Sequence, residues 1–396
     1  MKTGRWILGG ARVALGAAES ARFDLAVEAG RIASLETARD GARLDLGGSL
    51  ILPGLINAHD HLQYSLYPRL GRGPYPDAES WARAIYRPAE PPISEQRRIP
   101  ISTRLRWGAV RNLLGGCTTV AHHDPYRRTF TRDFPLRVPK LGWAHSLEFT
   151  DSVGREYRRT PRRRPFVIHF AEAAAPRESD RLERLAREGA LSDRTVLVHG
   201  VALTAEDLAL AAARRASLVW CPSSNHFILG ASLGRAALSS GLRIALGTDS
   251  ALSGAADLLE EIRTAARAPV SPERLYAMVT RDAAAILRLP KGAGSIVQGG
   301  PADLVVVPDR GGTPAESLLE LDAAEIQLVM VRGRIRLAAP RLRGQLPAAA
   351  RRRLRRLEVE GREVWIDANL PRIYREAARV LGPELHLAGK RVRAEP

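Results

Sequence analysis

The chain has 396 residues, of which 45% are hydrophobic and only two, Cys117 and Cys221, are cysteines. This length predicts one large domain of about 250 residues with a smaller one, and the cysteine count excludes a disulfide-rich secreted scaffold. No apolar run approaches the roughly 18 residues of a membrane span, so we expect a cytoplasmic protein without membrane segments.

The formal net charge of +17 raises the question of nucleic-acid binding. However, 56 of the 60 basic residues are arginines, and they are spread along the whole chain. The densest clusters, RRTPRRR (158–164) and RRRLRR (351–356), lack the interleaved aromatic side chains that stack on bases. A solvated surface is therefore the favoured interpretation, and a nucleic-acid partner is not expected.

Residues 1–52 contain short apolar runs separated by Gly, Asp or Glu, which is the pattern of strands joined by turns. The same pattern of short apolar runs and turn residues occurs again from residue 294, in GSIVQGGPADLVVVPD and IQLVMVRGRIRLA. We therefore expect residues 1–52 and 294–340 to form one small composite β-sandwich domain.

Between these ends, residues 53–293 alternate short apolar runs with helical patterns, for example RLERLAREGALSD followed by RTVLVHG. The strict alternation of strands and helices predicts an α/β fold of parallel strands. About 240 residues suit a closed (β/α)8 barrel of the TIM type. The interval 125–165 should supply two of the strands, although only LGWAHSLEF has a clear strand pattern. The remaining residues, 341–396, have the pattern of a helix and an amphipathic terminal segment, a basic extension that would pack on the barrel or on a second subunit.

Polar residues follow several of the predicted barrel strands. In LPGLINAHDHL (52–62), His59 and His61 lie on one face of a strand, with Cα atoms roughly 6 to 7 Å apart, and Asp60 points to the opposite face. An isolated His-x-His is weak evidence for a metal site, so the prediction depends on whether further ligands follow the other strands. They carry His122, His123, His169, Glu172, His199, Asn225 and Asp249. Because the carboxyl ends of barrel strands face one mouth, this distribution favours a metal site there.

Five motifs in this order, PGLINAHDHL, HFAE, VLVHG, CPSSN and LGTDS, resemble those of the amidohydrolase superfamily, in particular its cytosine-deaminase-like and chlorohydrolase-like branch. The resemblance covers about residues 1–340. It implies one divalent metal ion, Zn²⁺ or Fe²⁺, and hydrolysis of non-peptide C–N bonds. The absence of a strand-end lysine before His169 favours a mononuclear site over the dinuclear branch.

Carried over residue by residue, the resemblance implies His59, His61, His169 and Asp249 as metal ligands. Three imidazoles and one carboxylate suit a borderline divalent ion and leave room for water, whose pKa the ion would lower. Glu172 would take the proton of the water and pass it to the leaving nitrogen. His199 would hydrogen-bond the hydroxide and the tetrahedral adduct, and Asp249 would help to deprotonate the water.

Each assignment has a structural alternative. His169 and Glu172 could form a hydrogen-bonded pair, His199 could end a strand, and Asp249 could cap a following helix. Other polar residues have open or minor roles. For His122, His123 and His145, substrate contact and polar packing are equally favoured; Asn225 is expected to fix a turn, and Cys221 to be a packed core thiol.

Two further features bear on the substrate. The interval from His61 to His169 is short for this branch, so the pocket is expected to be unusual. The segment YPRLGRGPYPDAESWARAIYRP (67–88) is rich in Pro, Gly and aromatic residues, and it is either a specificity lid over the barrel mouth or an ordinary surface loop.

The sequence thus predicts a metal-dependent hydrolase that deaminates an amino-substituted heterocycle or a related small amine. The alternatives are the same machinery acting on another leaving group, such as chloride or an amide nitrogen, and an inactive barrel that acts as a binding protein. A small-molecule substrate and a possible homo-oligomer are the expected partners.

Overall fold

Two sheets, each antiparallel except for one strand pair, flank a ring of parallel strands in the computed structural model, which describes residues 5–33, 41–131, 133–177 and 181–394. The smaller sheet comes from the N-terminal part, and the larger one is built from both ends of the chain. The strands of the N-terminal part are β1 (Trp6–Gly9), β2 (Arg12–Ala14), β3 (Ser20–Arg22), β4 (Leu25–Glu28), β5 (Arg31–Ile32), β6 (Ala42–Asp45) and β7 (Ser49–Pro53). The parallel strands are β8 (Leu55–Asp60), β9 (Cys117–His122), β10 (Gly142–Ala144), β11 (Phe166–Phe170), β12 (Thr195–His199), β13 (Ser217–Trp220) and β14 (Arg243–Leu246). The C-terminal strands are β15 (Leu304–Pro308), β16 (Leu328–Val331), β17 (Arg334–Ala338), β18 (Arg355–Val359), β19 (Arg362–Ile366), β20 (Leu385–Leu387) and β21 (Lys390–Ala394).

The helices lie mostly between the parallel strands or after them. They are α1 (Ala78–Ile85), α2 (Ile93–Arg98), α3 (Ile101–Leu114), α4 (Val153–Arg159), α5 (Leu182–Arg187), α6 (Ala205–Ala213), α7 (Pro222–Leu229), α8 (Arg235–Leu238), α9 (Leu258–Ala265), α10 (Pro272–Met278), α11 (Arg281–Ile286), α12 (Pro314–Leu319), α13 (Pro340–Arg343), α14 (Ala348–Arg351) and α15 (Leu370–Leu381). Within the described ranges, no helix has both the length and the apolar character needed to cross a membrane.

A four-stranded sheet, in the order β5-β4-β1-β6, packs against a ten-stranded sheet, in the order β20-β21-β18-β19-β17-β16-β15-β7-β2-β3. Successive side chains of a strand point to opposite faces, and β15 uses both faces. Leu304 and Val306 pack in the core shared with the small sheet, whereas Val305 and Val307 pack in the core shared with the barrel helices. The large sheet is therefore apolar on both faces.

The parallel strands form two sheets, β8-β9 and β10-β11-β12-β13-β14, whose ends approach each other. The backbone N–H of Asp249, just after β14, donates to the carbonyl oxygen of His59 at 3.1 Å. On the other side, Thr119 of β9 forms a parallel bridge with Arg137, which leads into β10. The strands thus follow one another around a ring whose carboxyl ends lie on the same side.

The interval 125–165 supplies one strand in its described residues, β10, and not the expected two. Pro125, Pro135 and Pro139 interrupt the segment before β10. Proline lacks the N–H that a sheet ladder requires, so this segment runs as irregular chain.

The tail differs from the expected helix and amphipathic segment, because residues 341–396 also contribute β18, β19, β20 and β21 to the large sheet. The hairpin β18-β19 turns at Glu360 and Gly361, with φ of 48° and 78°. Two consecutive residues with positive φ form the type I′ turn that suits a two-residue hairpin. Helix α15 then packs on α3, where the Trp107 indole N–H donates to the carbonyl oxygen of Ile373.

Candidate metal centre

The four predicted ligands meet at the carboxyl ends of the parallel strands. His59 lies near the end of β8, His61 directly after it, His169 in β11 and Asp249 after β14. The Nε2 atoms of His59 and His61 lie 3.4 and 3.6 Å from Oδ1 of Asp249. The Nε2 atoms of His59 and His169 are 3.2 Å apart.

These distances fit a metal ion. Ligand atoms that bind Zn²⁺ tetrahedrally at roughly 2.0 to 2.1 Å are separated from one another by roughly 3.3 to 3.4 Å. Burial lowers the pKa of His59 to about 4 and that of His169 well below its usual value, so both rings are neutral with a free lone pair. Burial would raise the pKa of Asp249, but the hydrogen bond from His59 and the charges of His199 and His59 hold it well below its usual value. The neutral imidazoles of His59 and His169 and the ionised carboxylate of Asp249 are donors that suit a divalent cation.

Two groups of four residues among those described have ligand atoms that all lie within 4.8 Å of one another. One contains His59, His61, His123 and His169, and the other contains His59, His169, His199 and Asp249. The predicted ligands are thus divided between the two groups, with His123 and His199 completing them. From the sequence, His123 had no defined role, although its position directly after β9 matches that of His61 after β8.

Asp124 holds His61 in place. Its Oδ2 lies 2.8 Å from Nδ1 of His61 and accepts a hydrogen bond of 2.7 Å from Nε2 of Gln63. Burial would lower the pKa of His61, but the hydrogen bond and the charges of Asp124 and Asp249 raise it to about 9. A carboxylate behind a metal-binding imidazole fixes the tautomer and leaves Nε2 directed at the ion. Asp124 was not among the predicted site residues, although its place in the strand-end motif HHDP was a signal for it.

Two serines orient Asp249. Ser224 Oγ and Ser253 Oγ donate to its Oδ2 at 2.7 and 3.0 Å, so that Oδ1 faces the histidines. The backbone of Asp249 has a φ of 53°, a strained conformation that concentrates at functional sites. The alternative role as a helix cap is wrong, because Asp257 caps α9 by accepting from Leu259 N and Glu260 N.

Glu172 lies beside this cluster, with Oε2 3.4 Å from Nε2 of His199. Burial and the nearby charge of Asp249 raise the pKa of Glu172 well above its usual value. Nδ1 of His199 is 2.8 Å from Oδ1 of Asn225, which lies in α7 and not in the expected turn. With the amide oxygen facing the ring, Nδ1 carries the hydrogen, and Nε2 holds the lone pair on the side of Glu172.

The other singled-out residues surround the cluster or lie apart from it. His145 lines the cavity, with its ring centroid 4.9 Å from that of His169. The ring of His122 packs on Phe130 at 5.2 Å. Cys221 is fully buried, as expected of a packed thiol.

The cluster opens into a cavity of about 1320 Å³. Segment 67–88 contributes to its wall, as expected of a specificity lid, through Tyr67, Leu70, α1 with Trp81, and Tyr86. A ligand pocket for a drug-sized molecule has a volume of roughly 300 to 1,000 Å³, so this cavity admits more than a single heterocycle.

The family model of the amidohydrolase family matches residues 167–336, which include His169, Glu172, His199 and Asp249. Over these residues the chain is similar to the amidohydrolase family. Among its relatives is a protein of Teredinibacter turnerae named 5-methylthioadenosine/S-adenosylhomocysteine deaminase, which is 27% identical over 67% of this chain and 73% of its own length. A protein of the same name from Halobacterium salinarum is 28% identical over 71% of this chain and 78% of its own length.

Solved structures with a similar fold include an adenosine deaminase from Xanthomonas campestris with bound zinc, with a TM-score of 0.71 and 19% identity. That likeness covers 95% of this chain and 97% of the other. An atrazine chlorohydrolase from Arthrobacter aurescens, complexed with zinc, has a TM-score of 0.71 and 19% identity over 95% and 100% of the two chains. At this identity the likeness concerns the fold, and it confirms the predicted TIM-type barrel with an additional β domain.

Proposed function

We propose that this protein is a metal-dependent deaminase that releases ammonia from the adenine ring of a 5′-substituted adenosine. The observation that carries the proposal is the contact of Glu172 with His199 at the edge of a buried cluster of histidines and Asp249. The names of the relatives from Teredinibacter turnerae and Halobacterium salinarum supply the substrate class.

One ion is proposed, Zn²⁺ or Fe²⁺, held by His59, His61, His169 and Asp249. When bound, such an ion makes a water molecule acidic enough to act as a nucleophile near neutral pH. The imidazole-rich donor set suits both metals.

Glu172 moves the proton. Its raised pKa makes the carboxylate of Glu172 a stronger proton acceptor than a carboxylate of ordinary pKa. It therefore receives the proton of the attacking water and delivers it to the departing nitrogen. His199, fixed by Asn225, keeps Glu172 in place through its Nε2.

The far wall of the cavity suits a substrate with an anionic end. Arg104 lines the cavity beside Tyr67, and its Nε is buried with no hydrogen-bond partner in the described part of the chain. Burial lowers the pKa of Arg104, and nearby Arg127 acts in the same direction. Tyr64 lies between this arginine and the cluster, with its ring centroid 6.1 Å from that of His61. An anionic group on the 5′ side of a nucleoside would reach Arg104 while the base stays at the metal.

The test measures metal per chain, and ammonia release from 5′-methylthioadenosine and S-adenosylhomocysteine, for the wild type, Glu172→Gln and Glu156→Gln. Glu156 also lines the cavity, but it is paired with Arg159 on α4. We expect Glu172→Gln to lower kcat by about 10²- to 10⁴-fold, the usual contribution of a positioned proton carrier, with unchanged metal content. Glu156→Gln should retain the wild-type kcat.

The proposal fails if the wild type holds no divalent metal after reconstitution, or if Glu172→Gln keeps its activity. Ammonia release from neither nucleoside, together with hydrolysis of a chlorinated triazine, would favour the alternative leaving group.

A further inference from the structure

His123 belongs to the metal cluster but to none of the roles proposed above. It lies directly after β9, is 1% exposed, and forms with His59, His61 and His169 a group whose ligand atoms lie within 4.8 Å of one another. Its ring centroid is 4.3 Å from that of His169 and 5.0 Å from that of His59. His123 is therefore as central to the cluster as the predicted ligands are.

The hydrogen bonding of His123 leaves one nitrogen free for a metal. Its Nε2 lies 2.9 Å from the carbonyl oxygen of Ala144, which can only accept, so Nε2 carries the hydrogen. Nδ1 then holds the lone pair, and it is buried without a hydrogen-bond partner among the residues that the structure describes. An unpaired polar atom in a buried site requires an explanation, and a metal ion is one that fits a neutral imidazole nitrogen.

The two groups share His59 and His169, whose Nε2 atoms approach each other at 3.2 Å. An imidazole nitrogen has one lone pair and serves one ion, so the two groups surround a single ion. We propose that His123 is a further ligand of this ion, so that four imidazoles can hold the metal without Asp249. This inference rests on the proposed metal-dependent function.

The neighbouring histidine provides a matched control. His122 is also buried, at 4% exposure, but it belongs to neither group, and its ring packs on Phe130. Replacement of either histidine removes one buried imidazole. Only the replacement of His123 should change the metal site.

The experiment uses the full chain loaded with Co²⁺ or Zn²⁺ and compares His123→Ala, His122→Ala, Asp249→Asn and the double variant His123→Ala/Asp249→Asn. The readouts are the metal Kd, from competition with a chromogenic chelator, and the visible absorption of bound Co²⁺, which strengthens as the coordination number falls. We expect His123→Ala to weaken binding about tenfold or more and to change the Co²⁺ spectrum, and His122→Ala to stay within about twofold. Asp249→Asn should keep one metal per chain, and the double variant should lose it.

Wild-type affinity and spectrum in His123→Ala would overturn the inference, as would loss of metal from Asp249→Asn alone. His123→Gln, which keeps an N–H donor for Ala144, serves as a second variant if His123→Ala does not fold. Because the readouts do not depend on turnover, a wild type that binds no metal contradicts the proposed function. A wild type that binds metal and releases ammonia, with His123→Ala unchanged, contradicts only the ligand role of His123.

Discussion

Replacement of Arg111 by methionine should weaken both the fold and the metal centre. Arg111 lies in α3, is 2% exposed, and its Nη1 contacts Oδ1 of Asp60 at 3.2 Å. Its Nη2 and Nε donate to the carbonyl oxygens of Ala255 and Ala256 at 2.6 and 2.9 Å. One side chain thus connects the strand of His59 to the segment that follows Asp249.

The size of the effect follows from burial. Asp60 is fully buried, and removal of one partner of a buried ion pair costs about 3 to 5 kcal/mol because the remaining charge is uncompensated. At about 2.1 cal/mol/K per residue, a chain of 396 residues has an unfolding entropy of about 0.8 kcal/mol/K. The melting temperature of metal-free Arg111→Met should therefore fall by about 4 to 6 °C. Because the positions of His59 and Asp249 depend on this contact, metal affinity should fall by about 10- to 100-fold.

Differential scanning calorimetry and chelator competition measure the two effects. Arg106→Met is the control, since Arg106 lies on the same helix but its hydrogen bond to the carbonyl oxygen of Asp133 is exposed; its melting temperature should change by about 1 °C or less. In the double variant Asp60→Asn/Arg111→Met, part of the lost stability should return, because no carboxylate is left unpaired. If Arg111→Met melts within 1 °C of the wild type, or if the double variant recovers nothing, the ion pair does not carry the stability assigned to it.

Two other predictions concern pH and substrate. Burial raises the pKa of Glu261 to about 8 from 4.5, so folding favours its protonated form, and the associated stability is present below pH 4.5 and lost as the pH rises through 8. In thermal melts, the stability of Glu261→Gln relative to the wild type should rise by a few kcal/mol between pH 5 and 8. Glu260→Gln is the neighbouring control. A stability difference that stays constant across this pH range contradicts the reasoning. Arg104→Gln should raise the KM for S-adenosylhomocysteine, which carries a carboxylate, by about 10- to 100-fold and leave that for 5′-methylthioadenosine within about twofold. Arg83→Gln is the control, because Arg83 also lines the cavity but donates to Ser80. Equal changes in KM for both nucleosides would contradict the anion-binding role of Arg104.

The parts of the site that the sequence predicted are those that follow regular strands. His59, His61, His169, His199 and Asp249 each follow or end an apolar run, and the barrel brings such ends together whatever the helices between them contain. The pairing of His61 with Asp124, and of Glu172 with His199, depends on side-chain rotamers that strand patterns do not encode. His123 was ambiguous for the same reason, because its free nitrogen becomes visible only when Ala144 is placed against the other one.

The tail was harder to predict because its turns are short. The pairs Glu360-Gly361 and Ala388-Gly389 both have positive φ and reverse the chain in two residues. The run RRLEV has only two apolar residues, and the longer segment RRRLRRLEVE has the pattern of a helix. Pairing of the hairpin β18-β19 with β17, through Leu337 and Ile366, decides the conformation of this segment. The three prolines before β10 are visible in the sequence. However, whether a strand forms there also depends on how the neighbouring strands of the ring pair with one another.

The place of β7 between β15 and β2 in the large sheet has a consequence for synthesis on the ribosome. Its Leu50, Ile51 and Leu52 are fully buried, between β2 and a strand, β15, that lies some 250 residues further along the chain. Until residues 304–308 have emerged, the edge of β7 has no partner, and the nascent chain carries an open apolar strand while the barrel is being made. Closing so long a loop is slow, and an unpaired strand edge invites aggregation. Chaperone demand during translation is therefore set by the two ends of the chain and not by the catalytic barrel between them.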